Sequence, residues 1–201
     1  MSKSNHFFAL LHRMKYIYRW GLMRSSRPEN VCEHTCDVAM LAHALAVIGR
    51  DVFGKDVDPA AIATAALFHD ASEIITGDLP TPVKYINKQL SGAYKAVEQT
   101  AKERLLQTLP EELVESYRPL LFLEEENPTL YRYVKAADKL SAYLKCLEER
   151  KSGNAEFTRA ETELSDVVDR LSAELPEMAY FKERLMPGFF LTLDELNEEE
   201  K

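Results

Sequence analysis

A chain of 201 residues is long enough to bury a core without disulfides or a structural metal, so any bound cation is free to do chemistry. A formal charge of −8 with no basic stripe excludes a nucleic-acid polymer as the expected partner, although one arginine and one metal ion can still reverse the potential locally for a small phosphate ester. Seven glycines, beside 46% hydrophobic and 29% charged residues, favour a soluble helical domain over a sheet protein full of tight turns.

Apolar residues recur at helical spacing from the start: Phe7, Leu10, Leu11, Met14 and Ile17, with His12, Arg13, Lys15 and Arg19 interrupting any signal-peptide core. Val31, Val38, Leu41, Leu45 and Ile48 mark a second helix, and Asn30 with Glu33 three residues on resembles a capping box for it. Asp58-Pro59 opens a third, expected over 59–75 with a stop at Gly77, after which Asp78-Leu79-Pro80-Thr81-Pro82 forms a short stiff loop. Helices at 91–107 and 111–122 follow, then a solvated turn, Glu124-Glu125-Glu126. Asn127-Pro128 opens a helix with Leu130, Val134, Ala137, Ser141 and Leu144 on its inner side, and 157–175 reads as another, ended by Pro176. The apolar tail Pro187-Gly188-Phe189-Phe190-Leu191 is expected to pack on the body or on a second subunit, ahead of an acidic end.

Strand-like alternation is sustained nowhere, no linker divides the chain, and no stretch approaches 18 uncharged residues. One all-α domain over 1–201, neither secreted nor in a membrane, is the expectation. Cys32, Cys36 and Cys146 are too few and too irregular for a disulfide framework, which fits the cytoplasm.

The chemistry-bearing residues are His34, the pair His69-Asp70 followed by Glu73, and Asp138, on three predicted helices. Neighbours on a helix differ by about 100° around the axis, so His69 and Asp70 can flank a single point between helices with Glu73 one turn on. Two imidazoles and two carboxylates suit a borderline divalent cation such as manganese, cobalt, iron or zinc, with positions open to water and a phosphate oxygen. A His-Asp dipeptide alone is common by chance. Here it ends an alanine-rich segment, 60–67, that packs tightly, and Asp138 shares an inward face with Val134, Ala137 and Ser141, where an unpaired carboxylate is costly.

Other candidates have blander readings. Cys32 and Cys36 lie two residues either side of His34, about 200° around the helix, and read as small buried or semi-buried residues rather than thiolate ligands. His43 faces the opposite side from His34 and reads as a surface residue, as do His6 and His12. Lys139 pairs with a carboxylate or faces solvent.

Taken together, Glu33-His34-Thr35, His69-Asp70-Ala71-Ser72-Glu73, Gly77-Asp78 and Ala137-Asp138-Lys139 resemble, in order and spacing, the HD-domain phosphohydrolases. Arg19-Trp20-Gly21-Leu22 ahead of Arg27-Pro28-Glu29-Asn30-Val31 narrows the resemblance to the bacterial 5'-deoxynucleotidases; it covers about 7–147. What it implies is a compact HD-domain helical bundle, a homodimer, and hydrolysis of deoxyribonucleoside 5'-monophosphates with one divalent cation such as cobalt or manganese on His34, His69, Asp70 and Asp138. By the same resemblance Arg19 orients the phosphate and Trp20 lies where a 2'-hydroxyl would protrude. Asp78, Leu79, Pro80 and Thr81 contact the nucleotide, as do His34, Asp70 and Asp138, and Glu73 and Asp78 are the candidates for handling the water. Two alternatives stay open: an HD hydrolase of another small phosphate ester, and a helical module that senses a nucleotide without turning it over.

Overall fold

The computed structural model of the protein describes residues 5–84 and 86–197. Among them the α-helices are α1 (Phe7–Leu11), α2 (Val31–Asp51), α3 (Pro59–Ala66), α4 (Glu73–Thr76), α5 (Thr81–Lys84), α6 (Lys88–Leu106), α7 (Glu111–Leu121), α8 (Leu123–Glu126), α9 (Pro128–Lys151), α10 (Thr158–Glu174), α11 (Pro176–Arg184) and α12 (Leu193–Asn197). The strand-like pairing among these residues is one isolated bridge, Tyr18 to Asn30, which closes the 18–30 loop onto the start of α2.

Two cores organise the bundle. Val38, Leu45, Ile62, Ala66, Val134, Leu140, Val168 and Met178 bring α2, α3, α9, α10 and α11 together, whereas Phe7, Ala71, Leu105, Leu106 and Leu121 join α1 to α6 and α7. By length and composition α2 could cross a membrane, but its apolar side, from Val31 to Gly49, is buried here in the first core.

The helix starts obey their caps. Asn30 accepts from the Glu33 N–H at 3.0 Å, Asp58 from Ala60 at 2.9 Å and Ala61 at 3.2 Å, and Asn127 from Leu130 at 3.1 Å. Only half of the expected capping box forms at Asn30, because the Glu33 carboxylate turns to Arg27 at 3.7 Å. Asn87 accepts from Leu90 at 2.7 Å and starts α6 at Lys88, three residues ahead of the expected Ser91. Pro176 both ends α10 and opens α11.

The expected helix over 59–75 is broken. α3 stops at Ala66, and 67–72 continues in tight turns in which Phe68 N–H bonds Ala65 O, His69 N–H bonds Ala66 O, and Glu73 N–H bonds Asp70 O. The chain crosses here between cores, with Ala66 buried in the first and Ala71 in the second. The tightened winding also eclipses residues three apart, stacking Glu73 over Asp70. One shorter expectation also fails, since Thr81–Lys84 is a helical turn rather than loop; Glu124, Glu125 and Glu126 are exposed as expected, in a helical turn anchored by buried Leu123, with Glu124 meeting Lys95 and Glu125 meeting Gln99. Cys32 and Cys36 are exposed, not buried, since the buried stripe of α2 runs through Val31, His34, Thr35 and Val38. His6, His12 and His43 are exposed as expected.

The 18–30 loop is fastened to α9 by one buried carboxylate. Glu149, 1% exposed, accepts from the backbone N–H groups of Ser26 (2.7 Å) and Arg27 (3.3 Å), from Asn154 Nδ2 (2.8 Å) and from Lys145 Nζ (2.6 Å). Lys145 also donates to Arg27 O at 2.7 Å. Burial alone would raise the Glu149 carboxyl, but Lys145, Asn154 and Ser26 hold it at about 2 against an ordinary 4.5. Its contribution is therefore fully present above pH 4.5 and is lost as pH falls toward 2. Glu149→Ala should cost about 3–5 kcal/mol in denaturant melts by stranding buried Lys145, and Glu149→Gln should flatten the acid limb of stability over that window. An unshifted midpoint in Glu149→Ala would contradict the clamp.

Candidate active site

Where the first core meets the α3–α4 crossing, three elements present ligand-type side chains to one space. α2 contributes fully buried His34, the tight turn contributes His69 and Asp70, and α9 contributes Asp138. Asp70 Oδ2 lies 3.1 Å from His69 Nε2 and 3.6 Å from His34 Nε2, and His34 Nε2 lies 3.2 Å from Asp138 Oδ1. Ligand atoms of His34, His69 and Asp70 all fall within 4.8 Å of one another, and Asp138 joins them through His34.

The imidazoles are oriented from behind. His69 Nδ1 donates to Ala66 O at 2.7 Å, so the neutral ring aims the lone pair of Nε2 at Asp70, while His34 Nδ1 sits 3.2 Å from Ser141 Oγ and its Nε2 lies 3.2 Å from Asp138 Oδ1. His69 Nε2 is buried and makes no well-aligned hydrogen bond. A lone pair facing a carboxylate needs a positive charge between the two. Burial opposes a proton on His69, yet Asp70 and Asp138 outweigh it and raise its pKa. A divalent cation answers the same demand, and two imidazoles with two carboxylates form a donor set that fits one.

Around this cluster the charges interlock. Burial would raise Asp70 and Asp138, but His69, His34 and Arg19 hold Asp70 low, and the His34 hydrogen bond with Lys139 does the same for Asp138. Arg19 Nη1 reaches Asp70 at 3.4 Å and its Nε reaches Glu29 at 3.4 Å, leaving Nη2 without a hydrogen bond among the described residues. Glu73 lies over Asp70 with Oε2 buried and unpartnered, and burial with Asp70 and Asp78 pushes its carboxyl well above the ordinary range. Burial also raises Asp78, which accepts a hydrogen bond from the Trp20 backbone. Gly77, at φ +71°, turns the chain into Asp78 in a conformation that favours glycine, and Tyr94 on α6 props that turn through Thr76 Oγ1 at 3.4 Å.

The sequence-based set of His34, His69, Asp70, Asp138, Arg19, Glu73 and Asp78 is thus assembled in one place. Leu79 and Pro80 are half-buried and Thr81 is exposed at the start of α5; none makes a hydrogen bond or ion pair with the cluster among the described residues. Trp20 donates Nε1–H to Glu29 Oε2 at 2.9 Å and packs against Phe157 at 5.2 Å, with φ +60°. A bulky side chain in that conformation costs about 1–3 kcal/mol, which the surroundings must outweigh. Sequence reasoning gave no role to Glu29 or to Ser141 as a partner of His34; their signals were the place of Glu29 just before the α2 cap and of Ser141 one turn beyond Asp138.

A family model described as 5'-deoxynucleotidase YfbR-like matches residues 6–189. The chain belongs to this family. It is 48% identical over 195 residues to a 5'-deoxynucleotidase of Vibrio cholerae serotype O1, covering 97% of this chain and 100% of that one. It is equally 48% identical to the 5'-deoxynucleotidase YfbR of Escherichia coli O1:K1 / APEC, covering 98% of both chains. Among solved structures, an HD-domain phosphohydrolase from Listeria innocua superposes with a TM-score of 0.80 at 24% identity, over 94% of this chain and 90% of the other. The cyanophage S-2L HD phosphohydrolase DatZ, solved with dA and one catalytic Zn2+ ion, gives a TM-score of 0.63 at 22% identity, over 90% and 96%. Both likenesses establish the YfbR-like chain's fold as that of the HD phosphohydrolases.

If Ser141 steers His34, Ser141→Ala should weaken cobalt binding about 10- to 100-fold by calorimetric titration while the protein stays folded. Unchanged affinity would remove Ser141 from the site.

Proposed function

We propose that this YfbR-like chain hydrolyses deoxyribonucleoside 5'-monophosphates to deoxynucleoside and phosphate, with one divalent cation held by His34, His69, Asp70 and Asp138. What carries the reading is the convergence of these four side chains, beside a half-buried arginine, in a chain 48% identical along nearly its whole length to proteins named 5'-deoxynucleotidase. Cobalt or manganese suits the mixed nitrogen and oxygen donors. When bound, such a cation polarises a phosphoryl oxygen and lowers the pKa of a water.

The protein groups divide the remaining work. Arg19 keeps Nη2 available for a phosphate oxygen and steadies the charge that grows as the bond to the sugar oxygen breaks. Glu73, with its buried unpartnered Oε2, accepts a proton as the water oxygen bonds to phosphorus and gives it to the sugar O5' as the bond from phosphorus to O5' breaks. Asp78 accepts the Trp20 N–H and lies in the field of Arg19, so it steadies the substrate side of the site and is the second carboxyl able to handle that proton. The indole of Trp20 lies against the sugar where a 2'-hydroxyl would protrude, and Leu79, Pro80 and Thr81 meet the nucleotide beyond Asp78.

Three unpaired cysteines and the absence of basic patches support a cytoplasmic enzyme of small nucleotides rather than of polymers. Phe189, 52% exposed, and Phe190, 48% exposed, give the C-terminal side an apolar face that suits a homodimer.

A phosphate-release panel tests the reading. Release from deoxynucleoside monophosphates in manganese or cobalt should exceed that from ribonucleotides, disappear with chelator, and fall by at least about 100-fold in Glu73→Ala while nucleotide binding persists. Nucleotide binding by the wild type without phosphate release under any divalent ion would make the chain a sensor instead. Equal rates on both sugars would discard the role of Trp20.

A further inference from the structure

One carboxylate reaches three of the groups assigned above. Glu29 ends the 18–30 loop, just before the α2 cap, and its side chain is 11% exposed. Its Oε2 accepts the indole N–H of Trp20 at 2.9 Å and faces Arg19 Nε at 3.4 Å, while Oε1 lies 3.8 Å from His34 Nδ1. Its backbone carbonyl accepts the Arg19 N–H at 2.9 Å, so main chain and side chain hold the same dipeptide.

We propose that Glu29 is a positioning residue that sets sugar discrimination and phosphate placement by fixing Trp20 and Arg19 together. This rests on the site reading given above for those two residues. Indole and guanidinium nitrogens only donate, so two of them converging on one half-buried oxygen call for an acceptor there. The arrangement also explains how Trp20 keeps its left-handed backbone. Glu29 holds the indole, Asp78 accepts the Trp20 backbone N–H, Met23 N–H bonds the Trp20 carbonyl at 2.8 Å, and Phe157 backs the ring. Of these, Glu29 alone touches the polar edge of the indole and the arginine at once. Freed from it, the ring can turn away from the position that meets a 2'-hydroxyl, and Arg19 keeps only its pairing with Asp70.

Trp20 is the single tryptophan of the chain, so its emission reports its surroundings without any assay of activity. Expected for Glu29→Ala are a red-shifted, more quenchable emission, a fall in kcat/KM on deoxynucleotides of about 10- to 100-fold, and a narrowed preference for deoxy over ribo substrates. Glu29→Gln keeps an oxygen for the indole and loses the charge facing Arg19. It should retain the emission and the sugar preference while KM rises, a split that a merely structural role would not produce. A folded Glu29→Ala with wild-type emission and wild-type sugar preference overturns the proposal. An unchanged sugar preference in Trp20→Phe overturns instead the site reading beneath it, so the two failures are told apart.

Discussion

Everything in this molecule is arranged around a buried need for positive charge. Two imidazoles, oriented from behind by Ala66 O and Ser141, face the carboxylates of Asp70 and Asp138 in a space closed to solvent at His34. Burying carboxylates without compensation is costly enough to unfold a marginal domain. The helices that carry the site residues are held in place because each also belongs to the first core. α2 offers His34 from the same stripe that buries Val38 and Leu45, and α9 offers Asp138 beside buried Ala137 and Leu140.

A second layer of charge surrounds the first. Arg19 answers Asp70, Glu29 answers Arg19 and Trp20, and Glu149 ties the far end of the same loop to α9 through Lys145. Every link is a carboxylate or a cation largely removed from water, so each depends on its neighbour remaining in place. The 18–30 loop, which has no regular structure beyond one bridge, is thereby tied to the site at one end and to α9 at the other. These ties hold a strained tryptophan beside the cluster.

Much of this was legible in the residues. Asn30, Asp58 and Asn127 mark their helix starts because a cap is a local interaction, read over three or four residues. The inward facing of Asp138 followed from apolar periodicity, and the family resemblance brought in His34 and the rest. The break at Ala66 was not legible, for no glycine or proline announces it; the chain tightens there because Ala66 and Ala71 belong to different cores, which is a tertiary demand. The exposure of Cys32 and Cys36 was missed for a related reason, since the width of a buried stripe depends on what packs against it. Glu29 escaped because its partners, Trp20 and Arg19, are brought to it by a loop closure that periodicity does not encode.

The most direct measurement is anomalous scattering at the cobalt edge from crystals of the cobalt-loaded protein. Expected is one strong peak per chain between α2, α9 and the turn after α3, with His34 and His69 nitrogens at about 2.0–2.2 Å and carboxylate oxygens of Asp70 and Asp138 completing the ligand set. A peak bound elsewhere, or one that engages a single imidazole, would contradict a shared cation as the organising feature of the site.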